Sequence, residues 1–276
     1  MKVKKIITKS CIFVFILLII IISVGPLLWV LLASFKTNRE ILNGGVGLPE
    51  VFSFKNYSDA LKLAPILQFY INSILAGVVS TLANVFFLSM AAYVIARFQW
   101  KGKKFFRMIF SLGLLIPGAA LLQPLYQTMT TLKLHDSLIG LSLVYIALGL
   151  PTTIYVMSSF FMTIPIELEE SAYLDGAGFF RTFASIILPL TKPALGTAAV
   201  LEFLLAWNEF QFALTLTASN AKRTLPIALY YFKSQFASNY GAMFAATIMV
   251  VIPSIAVYIL LQEQVVSGLS SGAVKG

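Results

Sequence analysis

The sequence predicts an all-α protein that crosses a membrane six times. Three observations carry this. Of 276 residues, 59% are hydrophobic and only 11% charged, where a soluble domain averages about a quarter charged; the mean hydropathy of +0.89 agrees. The apolar residues gather into six runs, each near the ~20 residues a helix needs to cross a bilayer. The basic residues lie between long apolar runs, where they set topology and meet anionic headgroups.

The runs extend over about Cys11 to Ala33, Ile71 to Ile95, Arg107 to Thr128, Ser137 to Phe161, Ala194 to Thr215 and Ala242 to Leu261. The first is longer than a signal-peptide core of about 7–15 residues and has no clear small-x-small cleavage site. It reads as an uncleaved span behind Lys2, Lys4, Lys5 and Lys9. Those lysines, with the compact cluster Arg97, Lys101, Lys103, Lys104 and Arg107, place the N-terminus in the cytoplasm. An even number of spans returns the C-terminus to the same side. One transmembrane domain is expected over 1–276, with its core at about 70–262 and a short cytoplasmic tail at 263–276. Pro117, Pro124, Pro151 and Pro253 are expected to kink or interrupt their helices.

Several function classes fall away. The net charge of +9 would fit nucleic acid in a soluble chain, but here it serves topology, so no nucleic-acid partner is expected. The single cysteine, Cys11, forms no internal disulfide and reads as a small lipid-facing residue. His135, the only histidine, adjoins Asp136 near a short outer loop and reads as a surface pair. There is no G-x-x-x-x-G-K-[ST] phosphate loop, no HExxH and no cysteine–histidine cluster. The chain is therefore expected to hold no metal or cofactor and not to be an enzyme.

The connection from about Met162 to Pro193 is too long for a turn between packed helices. Pro165 suits a first helical turn, and Glu167, Glu169 and Glu170 complement the dipole at a helix start. That helix should run to about Asp175 and stop at Gly176. A second, from about Phe179 to Leu188, should end at Pro189. By these signals alone the loop is equally an interfacial amphipathic element without a partner.

The spacing is more specific. Glu170-Ser171-Ala172, three residues, Gly176, nine residues and Ile186-Ile187-Leu188-Pro189 resemble the motif of bacterial ABC-importer permeases: Glu-Ala-Ala, three residues, Gly, nine residues, Ile-x-Leu-Pro. Ser171 departs from the first alanine but is nearly as small. The resemblance implies that the loop between helices four and five is the coupling helix, which docks on a separate ATPase subunit that uses ATP and Mg. Close docking there would favour a small Ala172 and a Gly176 turn. It also implies a second homologous permease subunit, two ATP-binding subunits and an extracellular solute-binding protein, assembled in the lipid bilayer of the cell membrane.

The fifth run carries Glu202, Trp207, Asn208, Glu209 and Gln211. A charge at mid-membrane costs about 2.5–3.5 kcal/mol on insertion scales and usually faces the bundle interior or a water path. Seven residues apart on one helix, Glu202 and Glu209 should share a face. Hydrogen bonding between helices explains them as well as a solute path does. Trp207-Asn208-Glu209-Phe210 also resembles the Trp-Asn-Glu/Asp-Phe segment of the carbohydrate branch, the maltose-type permeases, as do Thr224-Leu225-Pro226 and the tail from Gly268 to Gly276. In relatives that tail reaches the ATPase dimer, and its small residues here permit an extended insertion. The substrate path is expected to include Glu202, Trp207, Asn208, Glu209 and Gln123, with Gln127 a weaker candidate, and the solute to be a sugar or oligosaccharide. A polyol or glycerol-3-phosphate importer of the same build, or an ion-driven secondary transporter, remains open.

Overall fold

The computed structural model describes residues 2–45, 47–235 and 239–273. Val274, Lys275 and Gly276 of the expected tail lie outside the described residues, as do 236–238. Among the described residues all regular structure is helical. Four helices are long and apolar enough to cross a membrane, or six if each of two bent pairs counts as one span. The chain divides into two units, Met1–Ile66 with Ala228–Ile252 and Leu67–Ile227 with Pro253–Gly276.

In the first unit, α1 (Lys2–Ala33) exposes large apolar side chains around its whole circumference from Ile12 to Ile22. Such a surface suits the hydrocarbon of a bilayer. The following segment folds tightly. Thr37 and Glu40 form a reciprocal cap on α2 (Asn38–Leu42). Phe35 packs against the rings of Phe52, Phe54 and Tyr57, and Asn56 Nδ2 donates to the carbonyls of Ser34 and Lys36, each at 2.8 Å. α3 (Lys55–Leu63) follows. The backbone N–H of Glu50, with the hydroxyl and N–H of Thr37, holds the exposed Glu40 carboxyl below its ordinary range.

In the second unit, α4 (Ile66–Arg97) has an inside-out pattern. Most of its buried face is small or polar, with Asn72, Ser73, Ala76, Ser80, Asn84, Ser89 and Ala92; the large buried side chains, Ile66, Phe69, Leu88, Tyr93 and Ile95, lie toward its two ends. Its exposed face carries Ile71, Ile74, Leu75, Val78, Leu82 and Phe86. Lipid gives helices no hydrophobic reason to associate, so close backbone approach and interhelical hydrogen bonds must do so. Gly77 accordingly meets the ring of Phe203.

The third span differs from the single helix expected over Arg107 to Thr128. α5 (Lys103–Gly113) and the segment Gly118–Thr131, a 3₁₀ turn leading into α6 (Leu122–Thr131), meet at 104°. Pro117, which has no N–H, sits extended at the break with ψ 128°. Gly113 lies so close to Pro151 that a Cβ there would come 2.8 Å from its Cγ. Pro124 does not interrupt; it occupies the first turn of α6, where its missing donor costs nothing. α7 (Leu138–Phe161) keeps its expected bounds to within a residue and passes through Pro151.

The fifth span also breaks. α11 (Lys192–Asn208) ends at Glu209, whose ψ is 128°, and α12 (Gln211–Leu216) follows. Glu202 and Glu209 thus do not share a helix face, because Glu209 lies beyond the helix end. α13 (Ile227–Gln235) precedes α14 (Tyr240–Ala273), which contains Pro253. Where the tail was expected to extend, its backbone is helical through Ala273.

Candidate functional site

The loop after α7 begins with α8 (Glu167–Leu174). Gly176, at φ +81°, ends it. Its N–H bonds to Tyr173 O at 3.0 Å and that of Ala177 to Ala172 O at 2.9 Å. This pair of bonds is the Schellman arrangement, which needs a left-handed residue and so favours glycine. The second helical stretch is not a single α-helix stopping before proline. It runs through α9 (Phe179–Thr182), a π turn at Phe183–Ile187 and α10 (Leu188–Leu190), then bends by 78° into α11. In the π turn the N–H of Leu188 reaches back to Phe183 O. The wider turn falls just ahead of Pro189, which has no N–H to offer the ladder.

The motif residues divide between two faces. Glu170, Ser171 and Gly176 are exposed, and Leu174 is 89% exposed. Ala172 is buried, so its small size serves packing inside the chain. Ile186 and Leu188 pack on a core of Ala92, Tyr93, Met157, Phe161, Phe183 and Ile187; Pro189 is exposed.

Residues that the motif spacing did not single out tie α8 to α4. Glu169, on the inner face with Ala172, lies 2.7 Å from Arg97 Nε, and the side chains are 5% and 9% exposed. Tyr93 donates its hydroxyl proton to the other Glu169 oxygen at 2.9 Å, and Arg97 Nη2 donates to Ile164 O at 2.6 Å. The available signal was periodicity. Glu169 is three residues from Ala172, so an inward alanine carries the acid inward too, and a buried carboxylate requires a partner.

The residues expected along the solute path do not form one cluster. Glu202 is buried, accepting from Asn84 Nδ2 at 3.1 Å, with no hydrogen-bond partner for Oε1 among the described residues. Glu209 caps α12: its carboxylate oxygens accept from the N–H of Phe212 at 2.7 Å and of Ala213 at 2.8 Å. Trp207 is buried, its ring stacked on Phe203 at 5.6 Å and tilted against Tyr70 at 6.1 Å. Asn208 is exposed and donates to Leu204 O on its own helix. Gln123 and Gln127 are exposed on α6. A cavity of about 460 Å³ opens at the bend of the third span; Glu209, Thr152, Leu121, Leu148 and Phe212 are among the residues around it. Among the described residues no three His, Cys, Asp or Glu side chains converge as a metal site.

Lipid-facing apolar surfaces around buried polar helix crossings, with two broken spans and a folded loop between α7 and α11, define a polytopic membrane protein. Residues 88–270 match the family of binding-protein-dependent transport system inner membrane components, and the chain belongs to that family. It is 38% identical over 256 residues to the trehalose transport system permease protein SugB of Mycobacterium tuberculosis, covering 91% of this chain and 92% of that one. It is 35% identical over 255 residues to the diacetylchitobiose uptake system permease protein NgcG of Streptomyces coelicolor, covering 91% and 84%. The crystal structure of a bacterial ABC transporter involved in alginate import contains a chain of the same fold. The TM-score is 0.77 at 24% identity, with 95% of this chain and 96% of that one covered.

Proposed function

We propose that the chain forms half of the translocation path of an ATP-driven, binding-protein-dependent importer for a sugar or oligosaccharide. Its other parts are a second, homologous permease subunit, two ATP-binding subunits that use ATP and Mg, and an extracellular solute-binding protein. The observation that carries the reading is the outward face of α8. A leucine 89% exposed beside Glu170 and Ser171, on a helix stopped by a left-handed glycine, is shaped for a protein partner rather than for water. The motif spacing supports the ATPase as that partner.

The sugar assignment rests on relatives for trehalose and diacetylchitobiose and on the chemistry near the broken spans. Hydroxyl-rich solutes are held by amide and carboxyl groups with apolar or aromatic surfaces. The exposed Asn208, Gln123 and Gln211 and the cavity beside Glu209 supply such groups. Its volume falls within the usual range for small-molecule sites.

The test is purification of the tagged chain from its native membrane in mild detergent, with companions identified by mass spectrometry, followed by uptake into proteoliposomes. An ATPase, a second permease and ATP-dependent sugar uptake are expected. Recovery of the chain alone from active membranes, with uptake that persists without ATP, would overturn the reading in favour of an ion-driven transporter.

A further inference from the structure

We propose that Tyr93, Arg97 and Glu169 form a mechanical joint through which movement of α8 is delivered to α4. They are positioning residues for energy coupling. This rests on the importer reading above and adds to it the route by which force leaves the loop.

The geometry argues for a joint. Tyr93 and Arg97 lie four residues apart, on one face of α4, and each engages a different oxygen of Glu169. Two attachments one helical turn apart on α4 hold both oxygens of the Glu169 carboxylate, and so fix one point of α8 against the span. Arg97 also holds Ile164 O, just past the end of α7. The outward residues of α8, including Glu170, Ser171 and Leu174, carry none of these bonds, so the face free for docking and the face bound to the span are separate.

Packing alone does not account for the charges. The rings of Phe98, Phe161, Phe179 and Phe183 already surround Tyr93 with centroids 5.0 to 5.7 Å away. A buried ion pair is often no more stabilising than apolar residues of similar volume, but removing one partner is strongly unfavourable. It resists sliding, where greasy side chains would tolerate it.

What it grips is stiff. α4 runs for 32 residues with no proline, whereas α1, α7 and α14 each contain one. Farther along, α4 presents Asn84 to Glu202. Near its other end Asn72 Nδ2 donates to the carbonyls of Ala221 and Arg223, and Ser73 Oγ accepts from the N–H of Leu225. A displacement at Arg97 therefore reaches both the buried acid of the fifth span and the connection after α12.

The test compares wild type, Glu169→Gln and Tyr93→Phe in the purified complex. Three readouts are taken: ATPase subunit retained, ATP hydrolysed, and solute taken up by proteoliposomes per ATP. If wild type retains no ATPase subunit, the importer reading itself fails. If wild type couples, Glu169→Gln is expected to keep the ATPase and hydrolyse ATP while uptake per ATP falls about tenfold. Tyr93→Phe, which removes one hydroxyl and keeps the ring packing, should show a smaller fall with intact assembly. Unchanged uptake per ATP in an assembled Glu169→Gln complex overturns the joint. If Glu169→Gln does not assemble, Tyr93→Phe decides: a fall in uptake per ATP supports the joint, and normal coupling assigns the cluster to folding alone.

Discussion

The carboxylate of Glu202 occupies the space that a Cβ on Gly149 would need. A methyl there would overlap the Glu202 carboxylate and come 2.9 Å from Asn84 Nδ2. Gly149→Ala is therefore expected to lower stability by about 1–3 kcal/mol, the usual cost of overpacking a tight core. The same substitution in a Glu202→Ala background should cost much less. Apparent melting temperatures of the four proteins in one detergent measure this, and additive losses would show that the two side chains do not compete for that space.

At Gly176 the constraint is conformational, since a Cβ there would have nothing within 4 Å of it and φ is +81°. Any L-residue there is strained, by roughly 1–2 kcal/mol, while asparagine tolerates the left-handed region better than a branched residue. Gly176→Asn should retain most uptake and Gly176→Val should lose it, with both present in the membrane. Normal uptake by Gly176→Val would remove the turn from the coupling role.

The carboxylate of Glu209 receives two backbone N–H groups at the start of α12. Glu209→Ala leaves both without their acceptor and should cost about 0.5–2 kcal/mol, as loss of a helix cap does; Glu209→Gln, which keeps one oxygen, should cost less. Thermal melting and uptake kinetics are read together. If Glu209→Ala melts normally but loses uptake, the acid acts on the solute instead of on the fold.

Asp136 Oδ1 accepts from the N–H of Ala218 at 2.9 Å and of Ser219 at 3.0 Å, and from the Ser219 hydroxyl. Partial burial alone would raise its carboxyl pKa, but the Ser219 and Ala218 bonds outweigh that, and it lies below its ordinary 3.8. A group depressed on folding contributes stability above its unfolded value and loses it as the pH falls through the folded one. Hydrogen exchange at Ala218 and Ser219, corrected for the intrinsic rate, should be slow at neutral pH and accelerate only below about pH 4. In Asp136→Asn this acid-dependent acceleration should be absent.

Much of this molecule was legible in its sequence because lipid imposes simple rules. The membrane-spanning parts of α1, α4, α7 and α14, at Thr8–Ala33, Ile66–Arg97, Leu138–Phe161 and Tyr240–Glu263, were found to within about five residues at each end, since length and hydropathy are all that a straight span requires. The stop at Gly176 was readable because only a left-handed residue closes that turn. What stayed hidden depended on distant pairing. Nothing near Glu209 in sequence signals that its side chain ends one helix and begins the next, and Gly113 acquires its meaning only from Pro151. Arg97 resembled a topological charge and Glu169 a helix-start acid, because the residues that pair them are 72 positions apart in the chain.

The π turn at Phe183–Ile187 gives the nine-residue interval before Ile186 an arithmetic sense. One residue of that interval is surplus to a regular α-helix, taken up as a local widening of the coil. Deleting that residue would close the coil to about 3.6 residues per turn and leave the phase downstream nearly unchanged, because the widening already absorbs the extra turn of roughly 100°. Phe183 and Ile187 would then stand three apart instead of four, still on one face. The extra residue acts locally: it sets a wide turn just ahead of Pro189, where the ladder already lacks a donor, and leaves the direction of the chain beyond to the 78° bend.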